Sequence, residues 1–179
     1  MSIEVVYQTH SLSEDNERGI ATGWLPGRLS ARGREDAARM GLRRRGDPIS
    51  AVFSSDLHRA AETAQIAFGD TDIPILYDWR LRECDFGRRN GTPVGEIEKD
   101  RAQHIDLPYP GGESLRQAVL RVTGLLTDLP TRWAGQRVLI IGHMATYRAL
   151  EQMANNATLE ELVATTFIWR EDGWEYVLG

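Results

Sequence analysis

The sequence predicts an α/β fold: three layers, α/β/α, with a central, mostly parallel sheet covered by helices on both faces. Short β-rich runs alternate with helical periodicity along most of the chain. Val138 to Ile141 is continuously apolar, as a parallel strand buried on both faces reads. A chain of 179 residues is long enough to close around one core without a disulfide or metal staple.

Each element has a local reason. Ile3 to Tyr7 is a β-rich run, and a loop follows it as far as Gly27. Ser30 is placed to cap a helix through Ala37, Ala38 and Leu42. Arg43, Arg44 and Arg45 suit the negative end of that helix and read as its solvated terminus, with Gly46 and Pro48 stopping it. Ile49 to Phe53 is a second strand, and Ser54, Ser55 and Asp56 lead into a helix from Leu57 to about Ala67. Ile73 to Tyr77 is a third strand. Asp78 to Gly112 is a long, mixed excursion with one short helix near Val94 to Arg101, the kind of segment that carries function.

Ser114 caps the clearest helix. Leu115, Ala118, Val122, Leu125, Leu126 and Leu129 form one apolar stripe, and Pro130 is expected to end it. After the Val138 to Ile141 strand, Ala145 to Ala154 reads as a helix and Thr158 as the cap of a shorter one. Thr165 to Arg170 and Trp174 to Leu178 flank Asp172-Gly173, a hairpin signal. The whole chain, 1–179, reads as one domain with a lid excursion at about 78–112.

Composition narrows the function classes. The net charge of −5 gives no basic footprint, so no nucleic-acid partner is expected. No apolar run is long enough to span a bilayer, so no membrane partner is expected either. No positive segment precedes the Ile3 to Tyr7 run, which points to the cytoplasm and makes the Asn156-Ala157-Thr158 sequon a chance match. The single cysteine, Cys84, forms no internal disulfide and reads as a small buried hydrophobe. The balance is compatible with a monomer or a homodimer.

The chemistry concentrates at predicted strand ends, where open α/β sheets bind ligands. His10 follows the first strand and His143 follows the most buried-looking one. Arg59 stands in the first turn of a helix, where a cation opposes the dipole unless an anion binds there. His58, its neighbour, is expected to face solvent. Glu83 and Asp85 are candidate proton donors beyond the third strand. The histidines show no metal-ligand spacing, so neither metal nor cofactor is expected.

Together, in this order, these segments resemble the histidine phosphatase superfamily, with its phosphoglycerate mutase-like fold. The resemblance covers roughly residues 3 to 150. It rests on Thr9-His10-Ser11 with Asn16, Thr22-Gly23-Trp24, Leu29-Ser30 with Gly33, and Ser54-Ser55-Asp56-Leu57-His58-Arg59-Ala60 with Glu62-Thr63-Ala64. It continues through Leu81-Arg82-Glu83 with Asp85-Phe86-Gly87, Pro110-Gly111-Gly112-Glu113-Ser114, and Gly142-His143. The resemblance implies a phosphomonoesterase that acts through a phosphohistidine on a small phosphorylated molecule. His10 would be the nucleophile and Glu83 the general acid and base, while Arg59 and a protonated His143 would hold the phosphoryl oxygens. Asn16, Thr9, Ser11 through its N–H, Thr22, Gly23 and Met144 would line the phosphate and substrate site. No metal or cofactor is implied.

Three positions depart from the family pattern. Thr9 stands where the family has arginine, Ser11 where it has glycine, and Met144 where a smaller residue is common. Losing a guanidinium removes two charge-assisted hydrogen bonds to phosphate. A compensating cation is expected from Arg18, Arg28, Arg82 or Arg88. Trp24, Tyr109 and Tyr147, with Met144, suggest an apolar or aromatic leaving group. The short, mixed excursion favours a phosphatase over a mutase. The alternatives are a weakly active or non-catalytic phospho-ligand binder on the same fold, or a phosphoprotein or phosphohistidine phosphatase.

Overall fold

The computed structural model describes residues 2–179. In chain order the elements are β1 (Ile3–Thr9), α1 (Glu14–Glu17), β2 (Ile20–Ala21), α2 (Ala31–Arg44), β3 (Ile49–Ser54), α3 (His58–Phe68) and β4 (Ile75–Tyr77). They continue with β5 (Thr92–Pro93), α4 (Val94–Asp100), α5 (Leu115–Trp133), β6 (Arg137–Gly142), α6 (Met144–Asn155), α7 (Leu159–Ala164) and β7 (Trp174–Leu178). Short 3₁₀ turns occupy Trp79–Leu81, Gly87–Arg89 and Arg101–His104.

The main sheet has the order β4-β3-β6-β1-β7. β4, β3, β6 and β1 run parallel, and β7 closes the β1 edge antiparallel. Alternate side chains of the central strands feed two cores. Val5, Tyr7, Val138 and Ile140 pack beneath α5 and α6. Val6, Val52, Leu139 and Ile141 pack against α2 and α3. A strand covered on both faces has to be apolar at every position, which is why Val138 to Ile141 is so readable.

α2 and α3 approach closely through Gly41. A Cβ there would stand 2.2 Å from the Ala67 carbonyl oxygen, so the approach requires glycine. A second, two-stranded sheet pairs β2 with β5 and ties the excursion to the loop after β1.

The expected elements are present, with four corrections. β4 starts at Ile75 rather than Ile73, because Pro74 has no N–H and enters the sheet only as an acceptor from Val52. α5 does not stop at Pro130; it continues to Trp133, whose ring packs edge-on against Phe53 at 5.7 Å and holds the last turn. Thr165 to Arg170 is not a strand, so there is no C-terminal hairpin. β7 pairs instead with β1, Tyr7 opposite Trp174, leaving Ile168 and Trp169 exposed. Finally, the arginines ending α2 are not merely solvated: Arg43 pairs with Glu171, Arg45 with Asp70, and Arg44 with Asp47 at 11% side-chain exposure.

Gly41→Ala sets helix propensity against packing. Alanine gains about 0.5–1 kcal/mol in a helix, while overpacking against backbone costs about 1–3 kcal/mol. The clash is with a main-chain oxygen, so packing wins. Urea unfolding is expected to show a net loss of about 1–2 kcal/mol; an unchanged midpoint would contradict the close approach.

Candidate active site

Three neighbouring parallel strands deliver the site. β1 ends one residue before His10, whose N–H continues the ladder to the Gly142 carbonyl at 3.0 Å. β6 ends at Gly142, one residue before His143. β3 ends at Ser54, and Ser55 Oγ accepts from Leu57 N at 3.2 Å, turning the chain into α3. Arg59 therefore rises from the first turn of α3 beside both histidines.

The His10 ring is oriented by its own loop. Nδ1–H donates to the Ser11 carbonyl at 2.7 Å, which leaves the lone pair on Nε2. Arg59 Nε–H reaches that Nε2 at 3.3 Å. Arg59 Nη2 donates to the Gly23 carbonyl at 2.9 Å and lies 3.4 Å from His143 Nδ1. The two imidazole centroids are 5.0 Å apart. Tyr7 donates its hydroxyl to the His143 carbonyl at 2.7 Å, fixing that backbone from below.

Electrostatics follow from this crowding. Loss of water around the ring, and then the Arg59 charge, lower the His10 pKa to about 3. The same two causes, with His10 added, hold His143 well below the usual imidazole value. Burial lowers Arg59 to about 10, opposed by Glu83 and Asp15. Arg59 is thus charged and both rings are neutral at pH near 7. In the empty site His143 is thus the neutral imidazole; the expected protonated form concerns the site with a phosphoryl anion beside it.

Glu83 faces this group across the cavity. Its Oε1 accepts from Cys84 N at 2.8 Å and its Oε2 from Met144 N at 3.1 Å. Its backbone is held as firmly. Trp24 Nε1 and Arg121 Nη2 both donate to the Glu83 carbonyl, at 2.6 and 2.7 Å. Arg121 also donates to the carbonyls of Arg80 and Arg82 and pairs with Glu113 at 2.7 Å. Asp85, the other candidate donor, is used in the turn: it accepts from Gly87 N and Asn90 Nδ2.

A cavity of about 700 Å³ opens over these groups, lined by His10, Asn16, Thr22, Gly23, Arg59, Glu83 and Met144. A second, of about 500 Å³, lies on the other side of His10 and includes Thr9, Ser11 and His143. Asn16 Oδ1 is tied to Ser13, and its Nδ2 makes no hydrogen bond among the described residues. Thr22 donates to Asp15 at 2.8 Å. Gly23 has φ +54°, and a Cβ there would meet Asn90 Oδ1 at 1.8 Å.

Several expectations are corrected here. Ser11 N–H donates to Thr63 Oγ1 at 3.0 Å and is not free to cradle phosphate. None of the four expected compensating arginines lines either cavity: Arg18 pairs with Asp15, Arg28 with Glu14, Arg82 with Asp56, and Arg88 lies outside. Trp24, Tyr109 and Tyr147 do not line the cavities either; Phe86 and Phe167 do. His58 faces solvent, 61% exposed, as expected. Sequence reasoning missed Arg101, Arg148 and the Leu162–Phe167 wall. Only the helical spacing of Arg148 from Met144 marked any of them.

Two outcomes are expected. His10 takes a proton at pH 6.5 when unfolded and near 3 when folded. The unfolded state therefore binds more protons in that window, and stability is lost as pH falls through it. Unfolding free energies from urea titration should drop between about pH 7 and pH 4 by up to ~1.4 kcal/mol per pH unit from this residue; His143, lowered in the same direction, adds to the limb, so His10→Asn should make it shallower without abolishing it. An equally steep limb in the variant would exclude His10 as its source. Arg121→Met takes the cation from Glu113, the Arg121 donor from the Arg80 and Arg82 carbonyls and one of two donors from the Glu83 carbonyl, and is expected to cost about 3 kcal/mol in the same assay.

Comparison with known proteins agrees with this geometry. Residues 9–168 match the model of the histidine phosphatase superfamily (branch 1). The chain is 36% identical over 169 residues to a 2,3-bisphosphoglycerate-dependent phosphoglycerate mutase of Methylobacterium radiotolerans, covering 86% of this chain and 80% of that one. It superposes on Bacillus stearothermophilus YhfR with TM-score 0.80 at 27% identity, covering 95% and 87% of the two chains. A mycobacterial glucosyl-3-phosphoglycerate phosphatase shares the fold, with TM-score 0.81, 21% identity, and 99% and 90% coverage. Two histidines and an arginine at adjacent strand ends, within a matched family model that spans most of the chain, establish that this chain belongs to the histidine phosphatase superfamily.

Proposed function

We propose that the chain is a phosphomonoesterase that hydrolyses a small phosphorylated molecule through a phosphohistidine on His10, with no metal or cofactor. The observation that carries this is the His10 tautomer: Nδ1–H is committed to Ser11, so Nε2 presents its lone pair toward Arg59 and His143, with Glu83 on the same cavity. Nε2 attacks phosphorus as the P–O bond to the leaving group breaks, and Glu83 gives its proton to the departing oxygen. Glu83 then takes a proton from water, the water oxygen attacks phosphorus, the N–P bond breaks, and inorganic phosphate leaves. Arg59 and the Asn16 amide donate to the phosphoryl oxygens. His143 takes up a proton as the dianion approaches and becomes a donor too.

Thr9 leaves this site one guanidinium short of the family pattern, so a slow enzyme is expected. The mutase name of the 36% identical relative supports a second reading, phosphoryl transfer between hydroxyls. The two separate cleanly: 3-phosphoglycerate with 2,3-bisphosphoglycerate gives 2-phosphoglycerate from a mutase and free phosphate from a phosphatase.

The primary test is p-nitrophenol release from p-nitrophenyl phosphate in EDTA. Wild type is expected to turn over, His10→Ala to be inert, and Arg59→Met to lose about 10²- to 10³-fold in kcat, the loss typical of one transition-state donor. An inert wild type whose melting temperature still rises with phosphate would identify a binder instead.

A further inference from the structure

The smaller cavity, on the Thr9 side of His10, carries a guanidinium that the reaction above does not use. Arg32, Asp36 and Arg43 of α2 line it at helical spacing, together with Thr9, His10 and His143. Of its two arginines, Arg43 pairs with Glu171 at 3.0 Å, and Arg32 has no ion pair among the described residues. Asp36, one turn from Arg32, is taken by Arg39. The Glu83 carboxylate, the remaining acid on this cavity, is held by Cys84 and Met144. Arg32 itself is exposed, so its arm is free to move.

The root of that arm is fixed beside the loop of the nucleophile. Ser30 N donates to the Leu12 carbonyl at 3.0 Å, and a Cβ on Gly33 would stand 1.9 Å from the same oxygen. The first turn of α2 therefore lies against the backbone that follows His10 and Ser11. A phosphoryl group on His10 Nε2 carries close to two negative charges at neutral pH. Arg59 meets it from the larger cavity and does not line the smaller one. His143 adds charge only once it takes up a proton. On the Thr9 side, the permanent cation within the cavity that has no acid to hold it is Arg32. Its planar fork fits two phosphate oxygens, a stronger partner for it than water.

We propose that Arg32 is a second guanidinium of the phosphate site, folding in from α2 across the Thr9 side of His10 to donate to the phosphoryl oxygens that face away from Arg59. This rests on the reading of His10, Arg59 and His143 as the phosphate site. Arg59 is held in place before phosphate arrives, whereas Arg32 is ordered by the phosphate it binds, so its contribution is the smaller of the two.

Calorimetric titration of the full-length protein with inorganic phosphate tests this without turnover. It is done at low salt and again with sodium chloride at about 0.5 M, where attraction beyond a few ångströms is screened. Arg32→Met is expected to bind phosphate about 10-fold more weakly at both salt concentrations, the low end for a charge-assisted pair because the arm has to be ordered. Arg32→Lys keeps the charge and loses the fork, and is expected about 3-fold below wild type. Arg45→Met removes the same charge from the far end of α2, outside both cavities, and is expected to bind as wild type does. The melting temperature of Arg32→Met without phosphate is expected within about 2 °C of wild type, since an exposed, unpaired side chain is removed. Unchanged affinity in Arg32→Met overturns the proposal. A loss that vanishes in high salt, or that Arg45→Met reproduces, reduces Arg32 to a distant charge and overturns it too. A loss in Arg32→Lys as large as in Arg32→Met, with a lowered melting temperature in both, makes the residue structural and also overturns it. Failure of wild type to bind phosphate overturns the phosphate site and this proposal together, whereas tight binding by wild type and Arg32→Met alike overturns this proposal alone.

Discussion

The site depends on one buried cation. Arg59 is 3% exposed and makes no salt bridge among the described residues; its guanidinium is held by the Gly23 carbonyl and two neutral imidazoles. Neutral acceptors orient a guanidinium without cancelling it. A carboxylate in the same position would neutralise the charge and compete with phosphate. Burial and then the same cation keep both imidazoles neutral, so Arg59 adds to what desolvation does for the availability of the His10 lone pair.

The fold serves to bring these groups together and keep them fixed. Because β3, β6 and β1 are adjacent and parallel, their C-terminal ends stand side by side, and each contributes one group. Tyr7 and Gly142 then couple β1 to β6 at the level of the site. Glu83 comes from outside this set, beyond the edge strand, and has no ladder to locate it. Arg121 and Trp24 do that work by gripping its carbonyl, while Cys84 and Met144 hold its carboxylate. A loop residue thereby acquires strand-like definition from side chains.

This contrast explains what could be read from the residues alone. Strand ends, caps and the two-faced apolar run are local signals, so His10, Arg59 and His143 were legible, as was the helix after Ser114. Glu83 was legible through its motif resemblance, since its own surroundings gave two equal carboxylates; only the structure shows Asp85 spent on a turn. What was not legible is long-range. Thr165 to Arg170 has the composition of a strand, yet β1's edge is taken by β7, so this stretch borders the cavity instead. The state of His143 depends on its burial and on a guanidinium raised from α3, and no local pattern reports either.

The distribution of arginine follows the same logic. Of the site-loop arginines, Arg18, Arg28 and Arg82 each pair with a nearby acid, which is why proximity in sequence did not place them in the cavity. The two buried arginines, 3% and 5% exposed, make no ion pair among the described residues, and both are raised from helices that packing drives inward: Arg59 on α3 and Arg148 on α6. An arginine on a mobile loop is free to swing toward a carboxylate and lose its field to it. One fixed by a packed helix cannot, and keeps its charge for whatever enters. In the main cavity, helix packing decides where unpaired positive charge faces the ligand space, while Arg101, from a 3₁₀ turn, arrives already paired with Glu98.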